Sequence, residues 1–151
     1  MSSPDTALHD PESGLLNEAY FRAALPNRVA TARRVLRPIS VVITRLQDTR
    51  HARQVALGLL DTLRESDTAC RLDDGAFALI LEDTPENGAV WTMERLRRLL
   101  AEQGTDVVLW AGVASYPAHA LEHGDLLALA EAALGDAMQW EQSRIEVALP
   151  E

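Results

Sequence analysis

The side chains with the most chemical potential gather in residues 63–84, LRESDTACRLDDGAFALILEDT. Arg64 and Asp67, three residues apart, precede two short apolar runs joined by Asp73, Asp74 and Gly75. Asp-Gly between apolar runs signals a hairpin, because glycine takes positive φ without penalty and aspartate tolerates it. Such a turn is a catalytic loop, the relic of one, or plain chain reversal. A second candidate is HALEH, where His119 and His123 with Glu122 match the H-x-x-E-H pattern of zinc peptidases. Pro117 before it and Gly124-Asp125 after it place it in a strand-to-helix loop, so incidental loop histidines are expected. There is no Gly-rich phosphate loop, C-x-x-C pair or G-x-S-x-G elbow. The basic clusters NRVATARR and ERLRR each offer a local anion site or a solvated helix face, and the face is the expected reading.

These residues need elements to position them. DPESGLLNEAYFRAAL reads as a turn and an amphipathic helix with Leu16, Tyr20, Phe21 and Leu25 on its apolar side. Pro26 is expected to interrupt it, with a second helical piece running to Pro38. ISVVITRL reads as a buried strand and RQVALGLLDTL as a helix. The hairpin TACRL and AFALIL follows. Thr84, Pro85 and Glu86 supply a helix start, with Thr84 as the capping hydroxyl and Ala89, Val90, Met93, Leu96 and Leu100 facing inward. DVVLWAGVAS is a strand, DLLALAEAALGDAM a helix and SRIEVAL a last strand. The order helix, strand, helix, hairpin, helix, strand, helix, strand predicts an α/β (α+β) domain, with a central mixed or antiparallel sheet covered by helices.

The bulk properties agree. A chain of 151 residues, 47% hydrophobic and 25% charged, is one globular domain by length and composition. Residues 1–9 read as a tail and 10–149 as the domain. The net charge of -9 argues against a broad nucleic-acid surface, which needs clustered cations. No apolar run is long enough to cross a bilayer and the N-terminus is not a secretion signal, so a cytoplasmic location with no membrane partner is expected. The single cysteine, Cys70, reads as a small apolar residue in a buried strand.

With the elements placed, the chain resembles the GGDEF family, the diguanylate cyclases that condense two GTP into cyclic di-GMP. DPESGLLNEAYF is similar to D-x-L-T-G-L-x-N-R-x-x-F through Asp10, Gly14, Leu15, Asn17 and Phe21. RESDTACRLDDGAFALIL resembles R-x-x-D, five residues, then G-G-D-E-F and an apolar strand. AGVASYP and LLALAEAALGDAM resemble the later strand and closing helix. The resemblance implies the family's fold and a degenerate site. At the first-strand metal ligand stands Arg45; the signature glycines correspond to Asp73 and Asp74, and its acids to Gly75 and Ala76; only Phe77 survives. The segment that contacts base and phosphates is shortened to QDTRHA, and Met138 stands where the closing helix has a phosphate-binding lysine. Trp110 replaces a small residue and is expected to fill vacated space or to be ordinary core. The implied reading is a non-enzymatic regulatory domain with no cofactor and no metal.

The resemblance also implies an inhibitory-type cyclic di-GMP site at Arg64, Asp67 and Arg95. There a guanidinium fork grips a phosphate or the guanine Hoogsteen edge, and a carboxylate accepts from guanine N1 and N2 hydrogens. The competing reading makes Arg64 a partner of helix-end carbonyls, Asp67 a turn cap, and Arg95 an ion-pair partner of Glu94 or Asp83. Trp91, one turn before Arg95, is placed to stack on a base, cover a dimer contact or take a cation–π contact. The alternative function is a protein-interaction or dimerisation module, with a homodimer or a signalling protein as partner and no nucleotide.

Overall fold

A computed structural model describes residues 7–150. The elements are β1 (Leu16–Asn17), α1 (Glu18–Val35), β2 (Ile39–Leu46), a 3-10 turn (Thr49–His51), α2 (Ala52–Thr62), β3 (Thr68–Arg71), β4 (Phe77–Glu82), α3 (Glu86–Glu102), β5 (Leu109–Tyr116), α4 (His123–Ala137) and β6 (Arg144–Val147). The six strands form one mixed sheet in the order β1-β3-β4-β2-β5-β6. The β3–β4, β4–β2 and β2–β5 pairs are antiparallel, while both edge pairs, β1–β3 and β5–β6, are parallel.

The central strands are buried on both faces, and period-2 alternation deals their side chains to two cores. Val41, Ile43, Ala78 and Ile80 pack with Phe21, Leu25 and Val29 of α1 and with Leu126, Ala130 and Leu134 of α4. Val42, Phe77, Leu79 and Leu81 pack with Val55, Ala56 and Leu59 of α2 and with Met93, Leu96 and Leu100 of α3. Cys70 is fully buried, and desolvation pushes its thiol up to about 12, so it behaves as a small hydrophobe.

Several expectations need correction. Pro26 does not split the first helix, which runs unbroken through it. A proline inside a helix removes a hydrogen bond and costs about 3 kcal/mol. Phe21, Leu25, Val29 and Ala32 nevertheless lie on one buried stripe that spans the proline, and that packing holds both halves in register. Thr84 is not the cap of α3: Pro85 occupies the N-cap without a side-chain bond, and the Thr84 hydroxyl donates to the Glu82 carbonyl at 2.8 Å. Strand β1 was not expected. Of the presumed tail, residues 1–6 lie outside the described residues, whereas His9 forms an isolated antiparallel bridge to Leu16. Nor is His119 an incidental loop residue. It is 5% exposed, its Nδ1 accepts the Ser115 N–H at 2.8 Å, and its Nε2 lies 2.9 Å from Glu86 Oε2.

Helix α1 ends on Leu36, which takes the left-handed conformation at φ 57° while 83% exposed. A leucine there costs about 1–2 kcal/mol over glycine, and its exposed side chain returns little. Glycine's larger unfolded-state entropy offsets part of that. Leu36→Gly is therefore expected to stabilise the domain by about 1 kcal/mol, seen as a higher urea midpoint at unchanged slope.

Candidate functional site

The hairpin between β3 and β4 is closed by its own atoms. The Leu72 N–H donates to the Ala76 carbonyl at 2.8 Å, and the Gly75 N–H donates to the Leu72 carbonyl at 3.0 Å. Gly75 sits at φ 92°, the positive value that the sequence assigned to it. Asp74 Oδ1 accepts the Ala76 N–H at 3.0 Å, and the Asp73 N–H donates to Glu18 Oε1 at 3.1 Å. Ala76 and Phe77 are fully buried. Behind the turn, the Arg71 guanidinium donates through Nε to the Gly75 carbonyl at 2.9 Å and through Nη1 to Glu12 Oε1 at 2.9 Å, and lies 4.8 Å from the Phe77 ring centroid.

Beside the turn stands Arg45, near the end of β2. Its guanidinium forms an ion pair with the Asp74 carboxylate and donates to the Asp74 carbonyl at 3.3 Å. The β2–β5 register sets Trp110 opposite Arg45. Trp110 is buried, and its indole N–H donates to the Trp140 carbonyl at 2.9 Å. Met138 and Trp140 are exposed after α4, with the Arg144 guanidinium 4.3 Å from the Trp140 ring. On the other side, the short link from β2 to α2 is pinned by Asp48. Its carboxylate accepts from Arg50 Nε at 2.8 Å and from the Arg50 N–H at 3.0 Å, which hold it down at about 2.

A catalytic metal would need anionic oxygens at this end of the sheet. The two residues after Asp74 have no ligand atoms in their side chains, and Asp74 itself is neutralised by Arg45. Among the described residues, no group of three His, Cys, Asp or Glu is placed to hold a metal ion. Asp73 is then the turn's one carboxylate without an arginine partner among the described residues, and a single carboxylate is a poor fit for the cations of such a site.

Arg64 and Asp67 are brought together at the C-terminal end of α2. Asp67 Oδ2 accepts the Arg64 N–H at 3.0 Å and Asp67 Oδ1 accepts the Glu82 N–H at 3.2 Å, with the Asp67 side chain only 5% exposed. The Arg64 guanidinium lies 3.4 Å from Asp67 Oδ1 and donates to Thr84 Oγ1 at 2.8 Å and to the Glu82 carbonyl. The pair thus clips the end of α2 to the end of β4. It borders a cleft of about 790 Å³ whose lining includes Tyr20, Arg28, Leu60 and Leu63. Arg28 donates there to Glu82 Oε1 at 3.0 Å and to the Tyr20 hydroxyl at 3.2 Å.

Arg95 lies elsewhere. It lines a separate cleft of about 720 Å³ with Asp61, Thr62, Trp91, Arg98, Leu99 and Glu102, and its guanidinium is 5.5 Å from the Trp91 ring centroid. Glu94 pairs with Arg97 and Asp83 with Arg37, so neither holds Arg95. The two clefts flank the last turn of α2. Sequence reasoning missed Tyr20 and Arg28 in the first, and Asp61, Thr62 and Arg98 in the second. Arg28 and Arg98 each had a signal, as members of the NRVATARR and ERLRR clusters.

Comparison with known proteins agrees with this fold. Diguanylate cyclase DosC of Escherichia coli is 27% identical over 154 residues, covering 88% of this chain and 33% of the relative. The chain therefore spans about a third of the length of that curated relative. Among solved structures, the GGDEF domain of TpbB (YfiN) from Pseudomonas aeruginosa superposes with a TM-score of 0.83 at 22% identity, covering 93% of this chain and 94% of that one. The coiled coil and GGDEF domain of DgcB from Caulobacter crescentus, solved in complex with c-di-GMP, gives a TM-score of 0.82 at 18% identity, over 95% and 87% of the two chains. The family described as diguanylate cyclase, GGDEF domain, matches residues 7–144, and this chain belongs to the GGDEF domain family.

Proposed function

We propose that this chain is a catalytically inactive GGDEF domain with a regulatory role in the cytoplasm, exerted by binding cyclic di-GMP. The observation that carries the inactive reading is the Arg45–Asp74 ion pair on the hairpin. Cyclic dinucleotide synthesis by metal catalysis requires cations that activate a ribose hydroxyl and neutralise a triphosphate. A guanidinium locked against the turn carboxylate repels such cations, and Gly75 and Ala76 supply nothing to hold them. The expected result is direct: GTP and Mg²⁺ incubated with the purified domain yield no cyclic di-GMP by chromatography. Detectable product overturns the reading.

The ligand half rests on Arg64, Asp67 and Arg95. Arg64 and Asp67 are engaged with backbone and Thr84, whereas Arg95 has no carboxylate partner among the described residues and shares its cleft with an exposed indole. Calorimetric titration with cyclic di-GMP tests it, with binding expected for the wild type and lost in Arg95→Ala; a flat wild-type trace ends the ligand reading.

The second reading is a protein-interaction or dimerisation module without nucleotide. It is favoured by Leu57 and Leu60 on α2 and Trp91 on α3, each more than half exposed. Sedimentation that shows a strict monomer at high concentration counts against the dimer form of it. Neither reading calls on nucleic acid, given the net charge of -9. No described helix is long and apolar enough to cross a membrane.

A further inference from the structure

The sheet has two edges, and they differ. At one, β1 has two residues and His9 bridges Leu16. At the other, β6 pairs with β5, and its far side carries no strand among the described residues. The Ala148 N–H donates to the Val113 carbonyl at 2.7 Å, so by strand alternation Arg144, Glu146 and Ala148 turn their backbone groups toward β5. Ser143, Ile145 and Val147 then turn theirs outward. A row of unpaired N–H and C=O groups is a template for another strand, and proteins blunt such edges with charges, proline or a bulge. Here the charges have opposite sign: on the same face of β6, Arg144 Nε donates to Glu146 Oε1 at 2.7 Å.

Opposite charges two residues apart select a register. Antiparallel pairing of two copies that joins outward groups to outward groups can centre on Arg144, Ile145, Glu146 or Val147. Centred on Arg144 or on Glu146, it sets like charges directly opposite, which is destabilising. Centred on Val147, it sets Arg144 against Pro150 and Glu146 against Ala148. The Ile145 centre sets Arg144 opposite Glu146 of the other copy, and symmetry makes that contact twice.

A separate feature favours the same register. Ile145 and Val147 pack toward the core beneath α2 and α3. On that face a groove of about 410 Å³, lined by Leu100, Ala101, Val107, Leu109 and Ser143, opens beside the start of β6. Leu149, two residues past Val147, is 81% exposed. With Ile145 opposite Ile145, Val147 of each copy faces Ser143 of the other, and Leu149 is carried to the mouth of that groove.

We infer that two copies of this chain join edge to edge through β6, antiparallel and centred on Ile145, into one continuous sheet: Arg144 and Glu146 fix the register, and Leu149 of each copy docks in the groove beside Ser143 of the other. This rests on the dimerisation reading proposed above, but needs no nucleotide and uses none of Leu57, Leu60 and Trp91.

The test is sedimentation equilibrium of the full chain over a concentration series, where a reversible monomer–dimer equilibrium is expected. Arg144→Glu and Glu146→Arg each create two like-charge contacts and should each weaken the dimer about tenfold or more. Mixed together, the two variants should associate again. Every contact between copies is then opposite in sign, although within each copy residues 144 and 146 still repel, so repair of the contact inside one strand cannot explain the recovery. Leu149→Ser, at an exposed position, should weaken the dimer without lowering the thermal midpoint of the dilute protein. An effect of only one of the two charge variants places the centre on another residue and overturns the inference, as does a mixture that stays monomeric. If Leu60→Ser dissolves the dimer while the β6 variants associate like wild type, the inference falls and the dimerisation reading stands. A wild type that is monomeric throughout overturns both.

Discussion

Gly112→Ala is expected to leave no folded protein. Gly112 lies in the middle of β5, under α4, and a methyl group built there would sit 2.1 Å from the Ala130 carbonyl oxygen, 2.3 Å from the Leu134 nitrogen and 2.9 Å from the Leu134 Cα. All three are backbone atoms, so no side chain can swing aside. Relief would require lifting α4 off the sheet, and with it Leu126, Ala130 and Leu134 from the core they share with Val41 and Ile43. Overpacking that flexible side chains absorb costs about 1–3 kcal/mol. A rigid clash against a whole helix exceeds that and rivals the total stability of about 5–15 kcal/mol for a domain. The variant should lack a cooperative thermal transition by circular dichroism. Gly58→Ala is the matched control, since its added methyl would meet mainly the flexible ends of Leu96 and Leu100 at 3.0 and 3.4 Å. Gly58→Ala should fold, with a modest loss.

Phe77→Ala is expected to lose about 3–5 kcal/mol, as truncation of a fully buried phenylalanine usually does. Phe77 belongs to the core beneath α2 and α3, and its ring also lies 4.8 Å from the Arg71 guanidinium. Removing it leaves a cavity and strips a cation of its aromatic contact in the same step, so the loss should fall toward the upper end. Urea unfolding, with the midpoint and slope read together, checks it; a loss under 1 kcal/mol would mean the hairpin collapses onto the space at little cost. This residue is the one at which the sequence resembles the family's signature. Its role here is packing.

The legible part of the fold came from long, strongly patterned segments. ISVVITRL is β2 residue for residue, and the buried positions expected in α3 were right apart from Val90, which is half-buried. The turn at Gly75 was legible because its chemistry is local. What failed was whatever depended on the third dimension. Strand β1 has two residues and no period to detect. The run through Pro26 is carried by a buried stripe whose partners lie on other elements. His119 looked like loop because its acceptor role depends on Ser115 and Glu86, the latter on a different helix. The site was half legible for the same reason. Spacing put Arg64 beside Asp67 correctly, but it could not reveal that the last turn of α2 stands between them and the cleft of Arg95.

The Arg45–Asp74 contact also bears on which substitutions the hairpin can accept singly. Replacing Arg45 alone with an acid would set two carboxylates side by side at the tip of the sheet, and adding an acid at Gly75 alone would force a bulky residue into a backbone state that favours glycine. Each single step toward a metal-holding surface is uphill until the others have been made. Two oppositely charged side chains that satisfy one another therefore work as a ratchet, barring any stepwise approach to a surface of clustered carboxylates.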